Sequence, residues 1–432
     1  PERAILRWES VLSNASSAVN LFRLLEARPG LFEQLMAVLT LAPTLAEDLG
    51  RRPGLLDTLI DASALDLPGD VDAIAARMEA GDAARDYERQ LDRIRIVTGE
   101  LRFALGLQLV QGVHDPLDIA AALSRTAEAG LQVANRAACK EFARKHGTIE
   151  GSELMVLGLG RLGGGALTHA SDLDIIYLFT GDTSAESDGE RPLGGTQYYN
   201  RLAQRVSAAL SVPTAQGALY EIDTRLRPQG AQGPLAVTLD AFAKYQNEAA
   251  WTWEHMALTR ARVLVGSDSA RTRLETIIAD VLTQTRDPAD LLEAVLEMRS
   301  EMAQHKPAKG LLDVKLMRGG LVDLEFAVHF LQLREGIALQ PDLSKAVDEL
   351  VAAGHLPSET REAHDLMTRA LVAGRLLAPD LSEEPPKSAA SALAKACQCE
   401  TYSALLRRLG EARQIVAAIW QQTFELKLEI ET

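Results

Sequence analysis

The sequence predicts a mostly helical α+β protein, in which a small α/β domain sits between an N-terminal helical segment and a C-terminal helical bundle. Two observations carry this reading. Apolar residues make up 47% of the 432, with Ala and Leu dominant and aromatics at only 5%, a bias toward the residues that rank highest in helix propensity. Apolar spacing is helical over most of the chain but changes between about 146 and 266. There, short apolar runs bounded by glycine alternate with helical stretches, the pattern of strands interleaved with helices. A chain of this length exceeds a single hydrophobic core, and three regions follow: 1–145, 146–266 and 267–432.

In the first region Leu21, Leu24, Leu25, Leu31, Leu35 and Leu39 recur at helical spacings. Pro29-Gly30 and Pro53-Gly54 punctuate it, and residues 71–111 read as one long amphipathic run. In the second region, 154–159 and 172–180 are strands and 199–210 is an amphipathic helix. Residues 219–226 form a third strand, and 234–238 a short extra one. In the third region, 291–302, 321–333, 359–377 and 402–424 are the clearest helices, and a bundle is the simplest way to pack them. Pro379 and Pro385-Pro386 mark a loop before an Ala-rich helix at 388–397.

The formal net charge is −15. A nucleic-acid partner calls for a basic footprint that neutralises phosphates, so a small molecule or a protein is the expected substrate. No apolar run reaches transmembrane length and no signal peptide opens the chain, which points to the cytoplasm and away from a membrane. The chain opens on Pro1, as a piece of a longer protein would. Cys139, Cys397 and Cys399 lack the CxxC spacing of a zinc site or a disulfide framework.

The chemistry concentrates in residues 158–177, GLGRLGGGALTHASDLDIIY. Gly163-Gly164-Gly165 closely follow the first strand, and Asp172 and Asp174 open the second. Alternate residues on a strand share a face, so the two carboxylates project together. Two ionised carboxylates side by side repel, and one pKa rises unless a cation joins them. Mg²⁺ takes one or two carboxylates together with substrate phosphates, and a pair of such ions can stabilise the attacking and leaving oxygens of nucleotidyl transfer. The glycines let backbone N–H groups approach a triphosphate, and a helix beginning near 163–165 would add its positive end. A D-x-D alone is common; its placement after a strand and a glycine cluster is what makes it specific.

Glu221 and Asp223, in LYEIDTRLRP, lie two apart and can both face the site. Asp223 is preferred as the third acid because it is nearer Arg225 and Arg227. These arginines alternate on the same strand and suit bidentate bonds to phosphate, although ion pairs to neighbouring acids are an equal reading. Arg161, before the glycine cluster, is a further phosphate candidate. His169 is a candidate substrate contact. Trp251 and Trp253, two apart on a helix, do not share a face: one belongs in the core, and the other can meet a base or a protein. His255 reads as structural. Arg318-Gly319-Gly320 reads as a turn capping the helix that carries Asp323 and Glu325, which diverge.

The glycine cluster, the D-x-D and the later strand acid resemble the DNA polymerase β-like nucleotidyltransferase superfamily. The longer strings are more specific. LGLGRLGGGALTHASDLDIIY, LYEIDTRLRPQGAQGPLAVTLDAFAKYQ, EAAWTWEHMALTRARVLVG and KLMRGGLVDLEFAVHFLQL closely resemble the glutamine synthetase adenylyltransferase family. That resemblance implies a nucleotidyltransferase domain with a small mixed sheet. It implies ATP as donor, Mg²⁺ or Mn²⁺ as metal, and a tyrosine of glutamine synthetase as acceptor of AMP, with pyrophosphate released. Asp172, Asp174 and Asp223 would hold the metal. Arg161, Gly163, Gly164, Ser171, Arg225 and Arg227 would meet the nucleotide, and Lys315 or Arg318 of the adjoining bundle would reach phosphates. A metal-bound phenolate, or Asp223 as base, would deal with a tyrosine proton that ordinarily titrates near pH 10. Glutamine is implied as effector and the PII signal protein as partner, in the control of nitrogen metabolism.

Full-length members carry two nucleotidyltransferase halves, one attaching AMP and one removing it by phosphorolysis. One glycine–D-x-D unit makes this chain one half, and Trp251-Thr252-Trp253-Glu254-His255-Met256-Ala257 resembles the C-terminal, adenylylating one. Arg161 departs from the family's frequent Lys, and Thr168-His169-Ala170 departs before Ser171. The alternatives are the adenylyl-removing half and a catalytically silent domain that senses glutamine or PII.

Overall fold

The computed structural model describes residues 2–14, 18–60, 62–81 and 86–430. At its centre is a five-stranded sheet: β1 (Leu154–Gly158), β2 (Leu173–Phe179), β3 (Ile222–Asp223), β4 (Ala236–Thr238) and β5 (Arg262–Val265). The β1 sequence LMVLG is buried along its whole length, as befits a strand paired on both sides. It runs antiparallel to β2, from Leu154↔Phe179 to Gly158↔Ile175, and antiparallel to β5, with an irregularity between Val156 and Leu157. Both short strands lie parallel to the outer edge of β2. β3 pairs at its start, Asp174 opposite Asp223, and β4 at its end, Tyr177 opposite Ala236. The sheet is therefore small and mixed, as expected.

The differences from the sequence reading are local. The third strand shrinks from 219–226 to Ile222–Asp223, because hydrogen bonds claim both flanks. Leu219 N and Tyr220 N donate to Leu210 O, and Arg227 N donates to Thr224 O. β5 was not foreseen; its four residues follow a helix with no turn signal of their own. Beyond its pairing with β2, β4 is tied by one side chain: Asn200 Oδ1 accepts from Leu235 N at 2.8 Å and Ala236 N at 3.1 Å.

Helices surround the sheet. The run 71–111 divides into Val71–Glu79 and Tyr87–Gln111, because Asp70 and Asp86 each accept the backbone N–H three residues ahead and start a new helix. Asp115 caps Pro116–His146 by accepting Leu117 N, two residues ahead, with Pro at the first helical position. Arg95, only 2% exposed, donates to Leu91 O, Ala209 O, Val212 O and Gly217 O at 2.8–3.0 Å. Those bonds offset the cost of burying a cation, and they pin the end of helix Gly195–Ser211 and the turn that leads into β3.

The expected C-terminal helices are present as Pro288–His305, Leu321–Glu335, Thr360–Leu377, Lys387–Ala396 and Tyr402–Phe424, joined by Asp268–Leu282 and Leu343–Ala352. Thr360–Leu377 packs against both Tyr402–Phe424 and Pro116–His146, and Arg369 pairs with Asp115 at 2.9 Å. One contiguous apolar cluster runs through all three regions, from Val11 to Leu428. Cys139, Cys397 and Cys399 are free thiols. Among the described residues no helix is long and apolar enough to cross a membrane.

Candidate active site

The parallel register of β2 and β3 does what the sequence spacing alone cannot: it sets Asp223 directly opposite Asp174. Asp172 precedes β2 by one residue and shares the face of Asp174. Ligand atoms of Asp172, Asp174 and Asp223 all lie within 4.8 Å of one another. Leu173 N donates to Glu221 O, which spends Glu221 on the ladder; its side chain is exposed and outside the cluster.

The electrostatics follow from this crowding. Burial, then the charges of Asp172 and Asp223, push the Asp174 carboxyl up to about 6, against the opposing pull of Lys315 and Arg260. Asp223 shifts the other way. Hydrogen bonds from Arg225 hold it below the usual carboxylate range, with Arg225 Nε at 2.9 and 3.0 Å from its two oxygens and Arg225 N at 2.8 Å. An all-oxygen donor set with an unrelieved repulsion suits a hard divalent cation such as Mg²⁺ or Mn²⁺. Because Asp174 must lose its proton to act as a ligand, Mn²⁺ affinity is expected to level off above about pH 6. Below that pH it should fall by up to about tenfold per unit. Titration calorimetry across pH 5–8 reads this, and an affinity flat through pH 6 would refute it.

The glycine-rich turn differs from the sequence reading. Its helix spans Gly160–Gly163 and does not begin near 163–165. Gly163 N donates to Leu159 O and Gly164 N to Gly160 O, so those N–H groups are spent inside the turn. Glycine is needed here for close packing. A Cβ on Gly163 would stand 1.9 Å from Arg260 O, and one on Gly164 2.6 Å from the Arg260 guanidinium. Gly160, which the sequence reading passed over, touches the acids. It has φ +55°, and a Cβ there would come within 2.5 Å of Asp174 Oδ2. Gly160→Ala adds backbone strain of about 1–2 kcal/mol and displaces that carboxylate. Mn²⁺ binding should weaken about tenfold or more, and an unchanged calorimetric affinity would refute the contact.

The other expected residues divide. Ser171 accepts from Thr168 N at 3.0 Å and braces the loop before β2. Because the strand ends at Asp223, Arg225 and Arg227 sit on a turn and not on a strand face. Arg225 grips Asp223, while Arg227 donates to Thr224 O and Gly233 O. Arg161 is half-buried and donates to Ala166 O at 3.2 Å. His169 Nε2 is hydrogen-bonded to Arg102 O at 3.0 Å, while the Arg102 guanidinium donates to His169 O at 2.6 Å, and burial, then the Arg102 charge, push the imidazole down to about 4.

Trp251 is 69% exposed and precedes helix Thr252–Leu258, where its N–H donates to Glu254 Oε2 at 2.9 Å; Trp253 is half-buried. His255 is held between Gln246 O and Arg286, a structural placement. Lys315 lies close enough to Asp174 to stabilise its charge, whereas Arg318 is exposed. Arg260 and Glu325 escaped the sequence reading as site neighbours; they pair at 3.1 Å across positions that only folding brings together.

The chain is similar in sequence to known proteins. A relative from Mesorhizobium japonicum is 43% identical over 330 residues, covering 75% of this chain and 33% of its own length. One from Agrobacterium fabrum is 42% identical over 334 residues, covering 77% and 34%. One from Rhizobium meliloti is 36% identical over 433 residues, covering 97% and 43%. Each of the three is named a bifunctional glutamine synthetase adenylyltransferase/adenylyl-removing enzyme. The chain spans between a third and just under half of the length of these curated relatives. A match to the glutamate–ammonia ligase adenylyltransferase family extends over residues 32–277, a stretch that takes in the whole sheet and the three acids. The chain belongs to the glutamate–ammonia ligase adenylyltransferase family.

Proposed function

We propose that the chain is a nucleotidyltransferase that moves AMP from ATP to a tyrosine of glutamine synthetase (glutamate–ammonia ligase), releasing pyrophosphate. The observation that carries this reading is the convergence of Asp172, Asp174 and Asp223, in a member of this family, on a single point beside β2. Of the family's two activities we assign attachment of AMP, on the strength of the segment from Trp251 to Ala257. The reading extends to the cytoplasm as the site of action, and to glutamine and PII as regulators.

Asp172, Asp174 and Asp223 would hold Mg²⁺ or Mn²⁺, which supplies positive charge at the phosphates and acidifies the attacking hydroxyl. The chain's own residues set the surroundings. Asp172, exposed, faces the incoming substrates, while Asp174 is anchored by the ladder of β2. Arg225 orients Asp223 and keeps it ionised, which makes it a better ligand than proton acceptor. Lys315, half-buried beside Asp174, adds a cation where the α-phosphate would gather charge in the transition state.

The experiment is transfer of label from α-labelled ATP to purified glutamine synthetase with Mg²⁺, alongside phosphate-dependent release of AMP from the modified protein. Label transfer is the expected result. Release without transfer would reassign the chain to adenylyl removal, and neither, with glutamine and PII present, would leave a non-catalytic sensor.

A further inference from the structure

Among the N-terminal helices lies a cleft of about 400 Å³ that none of the transfer machinery lines. Its walls are residues 54–58, the loop 64–68 and one face of helix Tyr87–Gln111. The loop is tied down from its inner side. Gln108 Nε2 donates to Ala64 O at 2.8 Å and to Asp66 O at 2.9 Å. His114 Nε2 is hydrogen-bonded to Leu65 O at 2.9 Å, and Arg125 donates to Pro68 O and Gly69 O. Gln108 also lines the closed end of the cleft and is 0% exposed. Its two amide bonds fix which end carries the nitrogen, and they leave Oε1 a buried acceptor with no donor among the described residues. Such an acceptor is costly unless something that enters the cleft supplies an N–H or O–H.

The mouth is acidic. Asp57 and Asp66 are exposed there, and the carboxylate of neither has a hydrogen-bond or ion-pair partner among the described residues. Glu100 gives one oxygen to Arg77 at 2.9 Å, which neutralises the single base on the lining. The cleft thus offers acceptors at both ends, with Leu67, Leu101 and Leu105 between them. Its acids do not converge as a metal ion requires: among the described residues, only Asp172, Asp174 and Asp223 bring three ligand atoms within 4.8 Å of one another. No Phe, Tyr or Trp lines the cleft, so nothing selects a quaternary or ring-bearing cation. Ammonium groups joined by methylenes match separated carboxylates with an apolar strip between them.

We propose that this cleft is a binding site for an aliphatic polyamine, with Asp57, Asp66 and Glu100 pairing its ammonium groups and Gln108 Oε1 accepting from the innermost one. The site is separate from the acidic triad and does not depend on AMP transfer. The helix that forms its wall also braces the loop before Asp172, through the bonds between Arg102 and His169. Occupancy therefore bears on an element that supports the triad.

The test is calorimetric titration of the whole chain with spermidine in saturating Mn²⁺, which occupies the triad and removes it as a rival anionic site. Saturable binding is expected, weakened about tenfold or more in an Asp57→Asn/Asp66→Asn variant. Both side chains are exposed and unpaired, so the variant keeps its fold. A Glu293→Gln/Glu297→Gln variant removes the same charge from an exposed face of helix Pro288–His305 and should leave the affinity unchanged. Putrescine is expected to bind more weakly than spermidine, and methylammonium not to saturate. Absence of saturable spermidine binding, an equal loss in the two double variants, or methylammonium binding as tight as that of spermidine would overturn the proposal.

Discussion

Asp174→Asn is expected to lower AMP transfer by about three orders of magnitude, roughly 4 kcal/mol of barrier. Asp174 is the middle member of the cluster, two residues from Asp172 along the chain and directly opposite Asp223 across the ladder. Losing its charge leaves the other two carboxylates without their bridge. The variant also separates catalysis from folding. The folded-state pKa of about 6 lies above the ordinary carboxyl value of 3.8, so the ionised carboxylate opposes folding above pH 6, and that opposition shrinks as pH falls from 6 and is gone below about 3.8. A neutral amide at pH 7.5 should therefore leave the metal-free protein at least as stable as the parent. Labelled-AMP transfer gives the first quantity and thermal unfolding the second. Transfer within tenfold of the parent would remove Asp174 from the mechanism.

Asp323→Asn is expected to cost about 3–5 kcal/mol of stability, the range for breaking a buried ion pair from one side. Asp323 is fully buried and accepts from Arg299 Nε at 2.6 Å and from Gly319 N at 2.7 Å. The second bond closes the Arg318-Gly319-Gly320 turn, where Gly319 has φ +76°, so the carboxylate fastens both the turn and the neighbouring helix Pro288–His305. Arg299 Nη2 is buried with no hydrogen-bond partner among the described residues. An Arg299→Met/Asp323→Leu double variant should recover a substantial part of the loss, since it leaves no uncompensated charge. Chemical unfolding transitions of the single and double variants decide the matter. A midpoint unmoved by Asp323→Asn would show the pair to be dispensable.

How much of this was legible beforehand varied with how local the cause was. The strands at 154–159 and 172–180 were readable because their apolar runs are bounded by glycine and acid. The division at 80–86 was less visible, although Asp86 is an ordinary helix start. β5 was missed because Val263-Leu264-Val265 is a short apolar run only a few residues beyond a helix and looks like its continuation. The glycine cluster was read for the right neighbourhood with the wrong physics. The requirement at Gly163 and Gly164 is room for Arg260, a residue almost a hundred positions away in the chain, whereas the contact with the acids belongs to Gly160.

By itself the sequence determined the helical bias, the alternation that makes a sheet, the D-x-D pair on one strand face, and the strings that resemble this family. These are encoded in composition, in periods of 3.6 and 2, and in short spacings, all of which act within a few residues. Only the tertiary structure set Asp223 directly opposite Asp174, spent Arg225 on Asp223, and brought Arg161, Arg260 and Lys315 to Glu325. Strand register and the packing of remote helices are set by burial over the whole core, and no local spacing specifies them.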